Sequence, residues 1–327
     1  MPMCMRCGLL IKAIDNYIAK ADKDLSDALK KAGFAEPEAT VERIEGLEEE
    51  IADTLTAETD YFLDAIKGNV DLEAFYEDDW PKVKAKNPSG KALMQTFQTE
   101  FESYMKPLVS QYLSQTDAKL KVTQLSKQTV AWVESWSEEL SRLMKLESET
   151  QIEKILTTAI AEGSSVAEVT QALIDSGIRD EYYRARRASV TEMLRVHSVA
   201  QQEAMMQSPS VSEKAWGHSG EYRNEPRENH VAMNGVRVPK NETFTLEGAD
   251  GGTYHPMYPR DPVLPPGESI NCHCFVQPIV SEDVLGLPLE ERQRLQAEAI
   301  AEMDDSWEAE LDAANRAAAG IEKGVRM

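Results

Sequence analysis

The sequence Pro265-Pro266-Gly267-Glu268-Ser269-Ile270-Asn271-Cys272-His273-Cys274 closes a stretch that opens at Trp216, and its reading decides how the rest of the chain is organised. The stretch holds two of the four cysteines and four of the five histidines, and it is rich in proline and glycine. Short β-prone pieces alternate with turns. Met233-Asn234-Gly235-Val236 carries an Asn-Gly hairpin signal, and Phe244-Thr245-Leu246 and Phe275-Val276-Gln277 are candidate strands. Gly248 to Gly252 and Pro256 to Pro266 are predicted loops, long enough to call for an internal staple.

Cys272 and Cys274 are separated by one residue, so on an extended segment both side chains leave the same face. Two thiolates placed in this way can share one zinc ion. His230, preceded by a turn and followed by the Asn-Gly signal, is a natural third ligand. His218, His255 or His273 is a candidate fourth, because zinc takes nitrogen and sulfur donors in a tetrahedron. A loop-rich unit without a large core gains folding energy from such a clip. Two reduced thiols packed as small apolar groups are the alternative.

Outward from this stretch the chain reads as polar, acidic helix. A helix with breaks at Gly33 and Pro37 is followed by one over Glu42 to Ile66, where Ile44, Leu47, Ile51 and Leu55 recur at helical spacing. A loop is predicted from Asn69 to Gly90, then three helices over residues 91–162. The clearest of these has Val133, Trp136, Leu140 and Leu143 on one stripe, with a polar hinge at Glu147 to Thr150. Trp132 and Trp136 read as helix-packing residues. Gly163 is a helix stop, and Ser165-Val166-Ala167-Glu168 is a capping box. It opens a short helix ending near Gly177, with a longer one from Asp180 to Met206. After Pro288 a last acidic helix carries Leu295, Ile300, Met303 and Trp307. The predicted fold class is a mainly α N-terminal region followed by a small α+β C-terminal domain with a loop-rich, Cys/His-containing segment. The expected parts are residues 1–40, 41–150, 151–280 and 281–327.

Composition narrows the function classes. The chain has 327 residues, 28% charged, and a formal net charge of -22. That balance argues against sequence-independent binding to a nucleic-acid backbone, which relies on clustered lysine and arginine. Tyr183-Arg184-Ala185-Arg186-Arg187 is the strongest local basic patch. No apolar run is long enough for a membrane span, and the apolar start at residues 1–11 is too short, and lacks the cleavage site, for a secretory signal. Four cysteines are too few for a disulfide scaffold, which points to a reducing compartment. Cys4 and Cys7 form a lone C-x-x-C and read as two ordinary thiols.

The motif order then becomes informative. Thr191-Glu192 on a helix is followed by Trp216, Arg227-Glu228-Asn229-His230, Met233-Asn234-Gly235, Pro259-Arg260-Asp261-Pro262 and Asn271-Cys272-His273-Cys274. This series resembles the Mu F-like head morphogenesis domain, a minor capsid protein family of tailed phages, over residues 152–278. Two positions depart from the family: His273 stands where it usually has Arg, and Val190 precedes Thr191 where Arg is common. Arg187 or Arg195, each one turn away, could substitute for the latter. The resemblance implies a structural role with no catalytic residues. The protein would join procapsid assembly near the portal, with portal protein and major capsid or scaffold protein as partners. It would reside in the virion head, and in the host cytoplasm during assembly. Contact with packaged DNA would be non-sequence-specific, and the protein could be ejected with the DNA. The helices of residues 41–150 are the portal or capsid docking candidate. Two rivals stand beside this reading. One is a metal-dependent nuclease or hydrolase using His230 with the Cys272/Cys274 cluster; the other is an acidic interaction adaptor with a zinc clip.

Overall fold

The computed structural model describes residues 22–69, 71–219 and 226–318; Cys4, Cys7 and the tail past Gly320 lie outside them. Of the described residues 70% are helical, with a helical N-terminal region and a small C-terminal region of short strands. Helix α1 (22–31) stops at Gly33, whose φ of 80° lies in the left-handed region. Pro37 then opens α2 (Pro37–Lys67), a position where its missing N–H costs nothing. Ile44, Leu47, Ile51 and Leu55 are all buried, as their spacing predicts.

Several predicted boundaries are corrected. The expected loop at 69–90 contains α3 (Leu72–Ala74), a π-helical turn (Phe75–Asp79) and α4 (Trp80–Lys86). The Asp71 side chain caps this run by accepting from the Glu73 and Ala74 N–H groups, and Phe75 and Trp80 give it buried anchors. Residues 91–162 form two helices rather than three, α5 (Ser89–Thr116) and α6 (Lys127–Glu162). The polar Glu147–Thr150 segment continues α6: Ser148 is buried, and it and the Met144 carbonyl both accept from Arg184. Leu143 is 42% exposed and falls off the predicted stripe, whereas Val133 and Leu140 are buried. Trp132 stacks on Phe101, a packing role.

Gly163 ends α6 with φ 70°, and the capping box is formed: Ser165 N–H donates to Glu168 Oε2, and Glu168 N–H donates to Ser165 Oγ. The helix it opens, α7 (Val166–Gln207), runs without the predicted break near Gly177. It is followed by β1 (Val211–Gly217), α8 (Glu228–Ala232), β2 (Arg237–Pro239), β3 (Leu246–Glu247), β4 (Thr253–Tyr254), α9 (Pro266–Ser269), β5 (Phe275–Val280), α10 (Glu282–Leu285) and α11 (Leu289–Ala318).

The chain divides into two compact units. One draws on Gly46–Pro107, Thr123–Ser189 and the chain from Ile300. Its core gathers Phe62, Phe75 and Trp80 with Ile152, Leu156, Val169 and Leu173. The other draws on the chain up to Glu45, Leu108–Val122 and Val190–Ala299, and it carries all the strands found among the described residues. There β1 is central, antiparallel to β2 and to β5, with Trp216 opposite Val276; β3 and β4 form a separate pair. The Asn234-Gly235 signal proves to be a turn from α8 into β2 rather than a two-strand hairpin, with Gly235 at φ 84°.

Within this second unit α7 is buried on every face from Val190 to Met205, although much of that segment is polar. Each polar group therefore needs a partner. Lys240 Nζ donates to the carbonyls of Met205, Met206 and Ser208 and so caps the helix C-terminus. His197 sits between Thr40 Oγ1, 2.8 Å from Nε2, and Tyr112 Oη, 2.7 Å from Nδ1. Burial, with the Arg260 charge adding to it, pushes its pKa down to about 3.

The unfolded chain protonates this imidazole near pH 6.5, whereas the folded protein resists until near pH 3. The His197 contribution is therefore complete above about pH 6.5 and falls by about 1.4 kcal/mol per pH unit below it. In urea unfolding at pH 7 and pH 5, His197→Gln should lose about 1–2 kcal/mol less stability between the two pH values than the wild type.

Candidate metal centre

Helix α8 is short, and its position is set by its neighbours. The Trp216 N–H donates to the Val236 carbonyl and the Gly235 N–H to the Trp216 carbonyl, tying the turn after α8 to β1. The Trp216 ring meets the His230 ring edge-on, with centroids 5.9 Å apart. Asn229, one residue earlier, donates to the Glu247 carbonyl and to Glu268 Oε2. Together these contacts hold His230 in the core of the unit, 2% exposed.

The two cysteines arrive from α9 through Asn271, which adopts φ 55°, a conformation that asparagine tolerates better than most residues. Asn271 N–H donates to Thr191 Oγ1 on α7. Arg227 donates to the Ile270 carbonyl. Cys272 and Cys274 are buried free thiols. His230 Nδ1 lies 3.5 Å from Cys272 Sγ and 3.6 Å from Cys274 Sγ, and the three donor atoms fall within 4.8 Å of one another. Zinc–sulfur and zinc–nitrogen bonds of about 2.3 and 2.05 Å meeting at a tetrahedral angle separate sulfur from nitrogen by about 3.6 Å. The observed spacings fit a single ion shared by all three donors.

The opposite ring nitrogen is committed elsewhere. His230 Nε2 lies 2.8 Å from Glu268 Oε2, so donation of the Nε2 proton to that carboxylate leaves the Nδ1 lone pair facing the sulfurs. Glu268 also accepts from the Ala249 N–H. Burial pushes its carboxyl up, but these hydrogen bonds outweigh burial and hold it below the usual range. The neighbouring Cys274 thiol, with His230 and Arg260, holds Cys272 well below the usual thiol range against burial. The same contact and burial raise Cys274. The buried Trp216 indole N–H has no hydrogen-bond partner among the described residues, although it lies near enough to Cys274 to favour that residue's thiolate.

Behind the sulfurs lies Arg260, fully buried, at φ 67°. Its guanidinium donates to the carbonyls of both Cys272 (2.5 Å) and Cys274 (2.8 Å) and to Ser198 Oγ on α7. Its own carbonyl accepts from Arg195, which is ion-paired with Glu192 one turn earlier. Thr191, Glu192, Trp216, Arg227, Asn234, Gly235 and Asn271, far apart in sequence, thus converge on one small region.

Of the histidine candidates for a fourth ligand, none joins the donor cluster among the described residues. His218 is half-buried at the end of β1, with its N–H held by Asn234 Oδ1. His273 is half-buried between the cysteines, and His255 is exposed. Sequence reading missed Glu268 and the role of Arg260. An acid four residues before the first cysteine, and an arginine in a Pro-flanked loop, were the available signals.

Residues 150–277 match the family described as "Phage Mu protein F like protein". Over 315 residues the chain is 32% identical to "Uncharacterized protein YqbB" of Bacillus subtilis (strain 168), covering 90% of this chain and 98% of that protein. No solved structure matches.

Replacing Arg260 by methionine removes three buried donor contacts at once. Arg260→Met should lower unfolding free energy by about 2–4 kcal/mol in chemical denaturation, with early loss of amide-exchange protection in β5.

Proposed function

The chain belongs to the phage Mu protein F like family, and from that premise we propose that it is a structural minor head protein of a tailed phage, acting in head assembly near the portal. The observation that carries this reading is the family match over residues 150–277, the segment in which the separated motif residues meet in space. The proposed partners are the portal protein and the major capsid or scaffold protein, with the helices of residues 41–150 as the docking region. The domain limits of 41–150, 151–280 and 281–327 belong to this proposal. No described helix is long and apolar enough to cross a membrane. The acidic balance suits a protein that stays beside packaged DNA without adhering to it, whether or not it leaves with the DNA.

Heads purified from a phage carrying this gene should contain the chain at low copy by mass spectrometry, and heads assembled without portal should lack it. Its absence from heads that do contain portal would overturn the assignment.

We further propose that His230, Cys272 and Cys274 hold a zinc ion that clips the loops together; His218, His273 or His255 would have to move into the cluster to supply the fourth donor. Buried donors support a structural ion over a hydrolytic one. So does Glu268, hydrogen-bonded on the far side of the imidazole and therefore already engaged. Elemental analysis of the full-length protein should find close to one zinc per chain, lost in Cys272→Ser, and a chelator should lower the thermal midpoint. Metal-free protein with an unchanged midpoint would exclude the clip.

A further inference from the structure

Arg260 and Glu268 are opposite charges buried on two sides of the same three donors. Arg260 is 0% exposed and pairs with no carboxylate among the described residues; its acceptors are two carbonyls and a hydroxyl. Glu268 is 2% exposed and meets no lysine or arginine among the described residues; its partners are the Ala249 N–H, the Asn229 amide and the His230 ring. A buried charge without a counter-charge is costly, and burial strengthens every electrostatic term around it.

We propose that Arg260 and Glu268 form the outer shell of the His230–Cys272–Cys274 site, orienting the donors and matching the site to a divalent ion. This rests on the metal reading given above. The orienting part is geometric. By spanning the carbonyls of Cys272 and Cys274, the guanidinium turns both to one side, and both sulfurs face His230. Glu268 fixes the imidazole so that Nδ1 is the free nitrogen.

The charge part is a balance. A divalent ion that displaces one proton from each thiol brings two positive charges and releases two. The thiolates cancel the ion, and Arg260 cancels Glu268. A monovalent ion displacing the same two protons leaves one uncompensated negative charge inside the unit. Glu268 opposes that outcome, whereas Arg260 favours it. The two residues therefore act on ion choice in opposite senses.

The test uses full-length protein with zinc alone and copper(I) alone, each in competition with a chelator at fixed pH. Glu268→Gln keeps the side-chain size and an oxygen that can accept from His230 while removing the charge. Its zinc affinity should fall about 10–100-fold, and its copper(I) affinity should fall much less, lowering the zinc-to-copper(I) ratio about tenfold or more. Arg260→Gln, measured on protein that still unfolds cooperatively, should move the ratio the other way. Zinc binding in Glu268→Gln equal to that of the wild type overturns the proposal. So does an equal loss for both ions, which removes the charge role. Wild-type protein that binds neither ion is a different result, and it fails the metal reading itself.

Discussion

The interaction on which the C-terminal unit depends is the fully buried guanidinium of Arg260, bonded at once to the carbonyls of Cys272 and Cys274 and to Ser198 on α7. A guanidinium cannot shed its charge, so burying one demands an enclosed set of acceptors. Here the acceptors belong to a loop and a helix that are also tied by the hydrogen bond from the Asn271 N–H to Thr191 Oγ1. Holding two carbonyls in a C-x-C segment fixes that backbone, and the fixed backbone aims both sulfurs at one imidazole. The left-handed Arg260 backbone, its carbonyl gripped by Arg195, belongs to the same arrangement. From Glu192 through Arg195, Arg260 and the cysteines to His230 and Glu268, one polar chain crosses the unit.

Helix α7 shows why that chain was hard to foresee. A surface helix announces itself through apolar residues on one face. From Ser189 to Met205 this helix has no exposed face, yet it carries Thr191, Glu192, Arg195, His197, Ser198, Gln201, Gln202 and Glu203. Its burial is supported by individual partners rather than by a stripe: Gln202 accepts from Lys214 and donates to the Lys240 carbonyl, and His197 joins Thr40 to Tyr112. Such a core is specified by hydrogen-bond complementarity, which tolerates few substitutions because each orphaned group is costly.

Local signals in the sequence were dependable wherever the stabilising contact is itself local. The stop at Gly163, the capping box of Ser165 and Glu168, and the buried face of α2 rest on residues within one or two turns of each other, and all are present. The motif order from Thr191 to Cys274 was likewise enough to identify the family. Predictions failed where distant packing overrides local preference. Within the expected loop, Leu72 to Lys86 are helical because Phe75 and Trp80 find a core, and the Asn-Gly turn ends a helix because Trp216 binds both sides of it.

The sequence by itself determined the family and the helical class, and it singled out His230, Cys272 and Cys274, which the fold gathers into one cluster. Tertiary structure alone decided that Glu268 stands behind His230 and Arg260 behind the sulfurs, and that α7 is enclosed from Val190 to Met205. A hydrogen bond between residues tens of positions apart has no local signature, since its geometry exists only after the chain has closed around it.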